Sequence, residues 1–246
     1  MSKQKPFLRI LAALLAVCVF VALPGANVSA SEQADSSLAF FIDYIVPIIS
    51  QLQKILSAMG LSTNLSLPRV GISAGHGGNT GAYSGGVYED VKTLAIALAV
   101  NKEFTSRGYE TLMNRTDNSK CDKETKLALY QPWRPDILLE FHYNIGGGTA
   151  EGLEVWYDSG NAEGKRLAEL LAPRLSAAAG LKNRGAKGDD YAPGGNFYVC
   201  SSFPIGILVE CAFLDNPNDV KKLDSTASKE KFAKAVAEVA AEFWGG

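Results

Sequence analysis

The stretch Gly71-Ile72-Ser73-Ala74-Gly75-His76-Gly77-Gly78-Asn79-Thr80 admits two parsings, and the choice between them decides the fold. Taken as Gly71 to Gly75, it is a G-x-S-x-G elbow, in which a strand turns sharply into a helix and presents a nucleophilic serine, here Ser73. Taken from Gly75, it is the end of a buried strand followed by a glycine-flanked histidine, His76, with backbone room for a metal ion. The residues that follow, HGGNTGAYSGG, read as loop and not as helix. Strand signals begin only at Arg69, which leaves no space for the earlier strands of a hydrolase fold. No histidine lies beyond His142 to serve as its base. A serine hydrolase using Ser73 stays as the alternative reading.

Working outward, strand and helix signals alternate from Arg69 to the end, the pattern of an α/β domain. RVGISA is a strand. A helix begins near Glu89 with Val91, Leu94 and Leu98 on one face, and Gly108 is placed to stop it. YETLMN is the next strand, and a polar helical piece covers Lys123 to Tyr130. DILLEFHYN and GILVECAF are continuous apolar runs, as expected of strands covered on both faces. GLEVWYD is another strand, followed by a helix from about Asn161 with Pro173 as a candidate kink. KNRGAKGDDYAPGGN reads as a loop long enough to carry function. Asn216-Pro217 supplies an N-cap and a proline at the first helical position. Phe232, Val236, Val239 and Phe243 form the core-facing stripe of a last helix.

The first thirty residues have another character. Lys3, Lys5 and Arg9 precede the apolar run Ile10 to Leu23, and Val28-Ser29-Ala30 is a small-residue cleavage signal, the layout of a secretory signal peptide over 1–30. The run is short for a membrane span, which needs about 20 apolar residues, so no stable span is expected in the mature chain. Residues 31–67 form an N-terminal segment. Leu38 to Met59 is apolar with helical spacing, broken by Pro47, and is either a helix packed on the main domain or a surface for a protein partner or membrane. Residues 68–246 are the main domain. Removing the signal takes the net charge from −2 to −5, because the segment holds three basic residues and no acidic one. That balance gives no electrostatic reason to expect nucleic acid. Three cysteines remain, Cys121, Cys200 and Cys211, an odd number that implies no disulfide framework.

The chemistry-bearing residues gather at one edge. The chain's 2 histidines, His76 and His142, each fall at or just after the C-terminal end of a buried strand, the edge where open α/β sheets bind ligands. A catalytic zinc site needs three protein ligands and one open position. Two histidines and one carboxylate meet that requirement. Glu210 interrupts the apolar run ILVECAF, where an unpaired carboxylate costs several kcal/mol and so calls for a partner or a raised pKa.

From Arg69 onward the chain resembles the zinc-dependent N-acetylmuramoyl-L-alanine amidases of the amidase-3 type, bacterial cell-wall enzymes. The resemblance is carried by GHGG (75–78), Glu89, LMNRTD, HYN (142–144), NRGAK (183–187) and LVECAFLDNPND (208–219), in order. It implies a mixed, largely parallel sheet flanked by helices, zinc held by His76, Glu89 and His142, and Glu210 as catalytic glutamate. It implies hydrolysis of the amide between N-acetylmuramic acid and the L-alanine of the peptidoglycan stem peptide by an exported protein. Arg115, Asn144 and Arg184 are candidates for substrate contact or for structural pairing. Two positions depart from the family pattern. NTGAYSGG lacks the aspartate usual after GHGG, and Glu140 stands where a small serine is common. By period-two alternation Glu140 shares a face with His142 and Asn144. The departures leave a non-catalytic wall-binding module as a third reading.

Overall fold

The apolar runs with no polar face become the central strands of a sheet covered on both sides. The computed structural model describes residues 67–192 and 195–245. The expected signal peptide, the apolar segment over 38–59 and most of the linker after it lie outside the described residues. The described chain runs β1 (Val70–Ala74), β2 (Tyr83–Ser84), β3 (Val87–Tyr88), α1 (Glu89–Ser106), β4 (Thr111–Met113), α2 (Lys123–Trp133), β5 (Ile137–Asn144) and β6 (Leu153–Tyr157). It continues through α3 (Ala162–Ala179), β7 (Asn183–Gly188), α4 (Tyr198–Ser201), β8 (Gly206–Phe213), α5 (Pro217–Lys222) and α6 (Thr226–Gly245).

Six strands form one sheet in the order β4-β1-β5-β8-β6-β7. β4, β1, β5 and β8 are mutually parallel. β6 runs antiparallel to β8, and β7 lies parallel to β6 at the edge. The sheet is thus mixed and largely parallel. One face carries Ile72, Leu139, Phe141, Val209 and Cys211 and packs on apolar stripes of α1, α3 and α6. The other carries Leu138, Leu208 and Trp156 and packs on Tyr130 of α2 and on Val199 and Cys200 of α4. The three cysteines are buried and free. Among the described residues no helix is long and apolar enough to cross a membrane.

Two expectations change. In α1 the buried stripe is Thr93, Ile96, Ala97, Val100 and Phe104, whereas Val91 is 44% and Leu98 39% exposed. The run LAIALAV is apolar all round, so periodicity alone left two registers, and the one through Ile96, Val100 and Phe104 faces the core. The supposed loop KNRGAKGDDYAPGGN begins as β7 and continues into a 3₁₀ turn over Asp189–Tyr191. Its polar, glycine-containing sequence suits an edge strand whose hydrogen bonds come from β6. Pro173 lies within a continuous α3. Asn161 caps α3, accepting from the Gly164 amide, and Asn216 caps α5, which opens on Pro217.

Phe232 of α6 is fully buried and meets Phe141 edge-on, with ring centroids 6.4 Å apart, next along β5 to His142. Phe232→Ala should lower stability by about 3–5 kcal/mol, read as a fall in the urea midpoint at unchanged slope.

Candidate functional site

The parallel strands β1, β5 and β8 deliver their C-terminal ends to one edge. β1 stops at Ala74, whose amide and carbonyl are closed by the side chain of Asn114 acting as an extra rung. The chain then turns, with His76 at φ 59°, a left-handed conformation uncommon outside glycine and frequent at functional sites. Close approach dictates two of the surrounding glycines. A Cβ at Gly75 would lie 2.6 Å from the His142 ring, and one at Gly81 would lie 2.6 Å from His76 and 2.7 Å from Glu89.

The loop is held from below by two buried charges. Asp90 accepts from the amides of Asn79 and Thr80 at 2.6 and 3.2 Å, so a carboxylate from α1 braces a loop that has no aspartate of its own. Arg115 is 4% exposed, and its guanidinium donates to the carbonyls of Gly75, His76, Asp90 and Asp117. The substrate contact considered for Arg115 is therefore corrected. Its donors are spent on backbone, and burial pulls its pKa down from the usual arginine range.

At the top of this frame three residues converge. Glu89, the first residue of α1, faces His76 Nε2 at 3.1 Å through Oε2 and His142 Nδ1 at 2.9 Å through Oε1. One ligand atom from each of the three lies within 4.8 Å of the others. Glu89 also accepts from the amides of Ala82 and Tyr143. Burial pushes its carboxyl up, but the two imidazoles outweigh that and hold it well below the usual carboxylate range. Burial likewise works against charge on His142, yet its bonds to Glu140 and Glu89 prevail and lift it to about 10. The donor set of two imidazoles and one ionised carboxylate fits a divalent metal of the zinc type.

Glu210 stands beside them on β8, in register with His142. Its Oε2 is buried without a hydrogen-bond partner, and burial raises its pKa to about 7. A cavity of about 490 Å³ opens between these groups, lined by His76, Glu140, His142, Tyr198 and Glu210 and by Lys120 and Lys123. Asn144 and Arg184 do not line it. Both hydrogen-bond to Glu154, Asn144 at 2.9 Å and Arg184 at 2.8 Å, and Lys187 completes that cluster. Ser73 is fully buried, and its hydroxyl donates to Glu140 at 2.7 Å, not to an imidazole. That geometry overturns the serine-nucleophile reading.

Sequence reasoning missed Lys126, Glu154 and Tyr198. Glu154 carried the same signal as Glu210, a carboxylate within an apolar strand. Lys126 and Tyr198 carried none, because each meets Glu140 only through the tertiary fold.

Residues 70–242 match the N-acetylmuramoyl-L-alanine amidase family profile. The N-acetylmuramoyl-L-alanine amidase LytC of Bacillus subtilis is 31% identical over 186 residues, covering 72% of this chain and 36% of LytC. This chain thus spans about a third of that relative. The uncharacterized protein YqiI of the same organism is 30% identical, covering 67% of this chain and 79% of its own. Among solved structures, an N-acetylmuramoyl-L-alanine amidase from Clostridium difficile 630 superposes with a TM-score of 0.66 at 25% identity, covering 74% of this chain and 98% of that one.

The raised Glu210 pKa makes a stability prediction for the metal-free protein. Between about 4.5 and 7 the folded chain binds this proton more tightly than the unfolded chain, so Glu210 costs stability as pH rises through that window. Glu210→Gln should be neutral below about pH 4 and stabilising by up to about 3 kcal/mol above neutrality, measured as thermal midpoints across pH with chelator present.

Proposed function

The chain belongs to the N-acetylmuramoyl-L-alanine amidase family, and from that premise we propose that it is an exported, zinc-dependent hydrolase of peptidoglycan. In this reading residues 1–30 direct export, 31–67 form a separate N-terminal segment, and 68–246 are the catalytic domain. The bond cut is the amide between the lactyl group of N-acetylmuramic acid and the L-alanine of the stem peptide. The observation that carries the reading is the convergence of His76, Glu89 and His142 beside a buried, partnerless Glu210 oxygen.

His76, Glu89 and His142 would hold the metal and leave a position open. Zinc, when bound, supplies a Lewis acid that brings the pKa of a coordinated water down from 15.7 toward about 7. Glu210, which lines the cavity, takes a proton and returns it to the departing nitrogen so that the amine leaves neutral. A carboxyl held to about 7 suits both halves of that transfer near neutral pH. Arg115 and Asp90 keep the His76 turn rigid, so His76 stays aimed while substrate exchanges. Glu89, anchored by two backbone amides as well as two imidazoles, cannot swing away to act as a second base.

The test is to incubate the full chain with purified cell walls and identify products by mass spectrometry. Stem peptides with a free L-alanine amine should accumulate, stop on chelation and resume on adding zinc. Glu210→Ala should slow turnover about 10²–10⁴-fold while binding zinc normally. Cleavage that survives metal removal, or an undiminished Glu210→Ala, would defeat the reading. Stoichiometric zinc with no turnover would favour a wall-binding module instead.

A further inference from the structure

Glu140 interrupts the apolar β5 run one side-chain repeat before His142, and it is 2% exposed. A carboxylate persists in such a place only when its charge is balanced and its lone pairs are filled. Here both conditions are met. Oε2 accepts from Ser73 Oγ at 2.7 Å and from the Tyr198 hydroxyl at 3.1 Å. It also faces Nζ of Lys126, itself buried, at 3.2 Å. The Lys126 ammonium supplies the balancing charge, and the two hydroxyls fill the remaining acceptor capacity of Oε2.

Oε1 is left to face Nε2 of His142 at 2.9 Å. An ionised carboxylate can only accept, so Nε2 is the donor of that bond. In the neutral ring this leaves Nδ1 as a bare lone pair. Nδ1 points at Glu89 Oε1, 2.9 Å away. A lone pair and a carboxylate oxygen at that separation repel unless a proton or a metal ion lies between them, and a metal ion is the occupant that the facing donors of His76 and Glu89 also suit.

We propose that Glu140 is a positioning residue for the metal centre: gripped by Lys126, Ser73 and Tyr198, it holds His142 in the Nε2–H form and in the ring orientation that presents Nδ1 to the metal. The inference rests on the zinc reading above. Lys126, 3.2 Å from Oε2, offsets part of the charge that Glu140 adds beside Glu89 and Glu210. A merely structural pair tying α2 to β5 would affect stability and nothing else.

The experiment measures zinc affinity by competition with a chromophoric chelator, together with two-bond ¹H–¹⁵N spectra of the zinc-loaded, histidine-labelled full chain. With 2 histidines in the sequence, two ring patterns are expected. The wild type should show His142 as Nε2–H. Glu140→Ala should bind zinc about 10–100-fold more weakly and lose that single pattern. Lys126→Met/Glu140→Ala removes both buried charges together and leaves no orphaned ammonium, so it should fold and show the same two losses. Glu140→Gln, which keeps an accepting oxygen in place, should restore the pattern and part of the affinity. Alanine variants that bind zinc within about twofold of wild type with an unchanged His142 pattern would overturn the inference while leaving the zinc reading intact. A wild type that binds no zinc overturns both.

Discussion

The constraint on which the site depends is that one buried carboxylate, Glu89, faces two imidazole nitrogens at once. Each is an acceptor whenever its ring is neutral and its hydrogen lies on the other nitrogen. Acceptors brought together in a low-dielectric setting demand positive charge among them, as protons or as a metal. The lifted His142 pKa is the proton form of that demand. A divalent ion satisfies it better, because it draws on both rings and the carboxylate simultaneously. The chain gives up much to bring these atoms together, including a left-handed His76 and glycines where any side chain would collide.

The fold supplies the rest through direction. Because β1, β5 and β8 run parallel, the His76 turn, His142 and Glu210 arrive at one edge. The helix that follows the β2–β3 hairpin begins at that same edge, and its first residue is Glu89. The two faces of the sheet divide the labour. One is apolar throughout and buries α1, α3 and α6. The other is apolar at Leu138, Leu208 and Trp156 and becomes polar one or two side-chain repeats along the same strands, at Glu140, His142, Glu210 and Glu154.

Much of this was legible in the sequence, for reasons that differ by residue. The central strands were readable because strands covered on both faces leave no polar alternation, and Glu210 stood out against that background. His76 was readable because it follows a buried strand and its flanking glycines leave backbone room around it. The register of α1 was not, since an all-apolar run does not say which side meets the sheet. β7 was not, since an edge strand takes its order from a neighbour. The roles of Arg115, Lys126 and Tyr198 depend on side chains distant in sequence meeting in space, for which local pattern holds no record. Glu140 lay between these cases: its burial could be read, but its partners could not.

Glu89, Glu140, Glu154 and Glu210 stand close together, and the division among them explains why one is suited to move protons. Burial pushes all four upward. Glu89 is pulled down by two imidazoles, Glu140 by Lys126 and His142, and Glu154 by Lys187 and Arg184. Glu210 has only the charge of His142 to help it, opposed by the other three carboxylates, and is left near 7. Arg184 and Lys187 therefore matter to Glu210 through what they do to its cross-strand neighbour Glu154. By keeping Glu154 ionised and occupied, they hold a negative charge against Glu210 and deny that proton a second resting place. Pairs of titratable groups whose surroundings separate their pKa values mark the assignments of acid and base. In this site three carboxylates are committed to structure or to the metal position, and the fourth lines the cavity with one oxygen left without a partner.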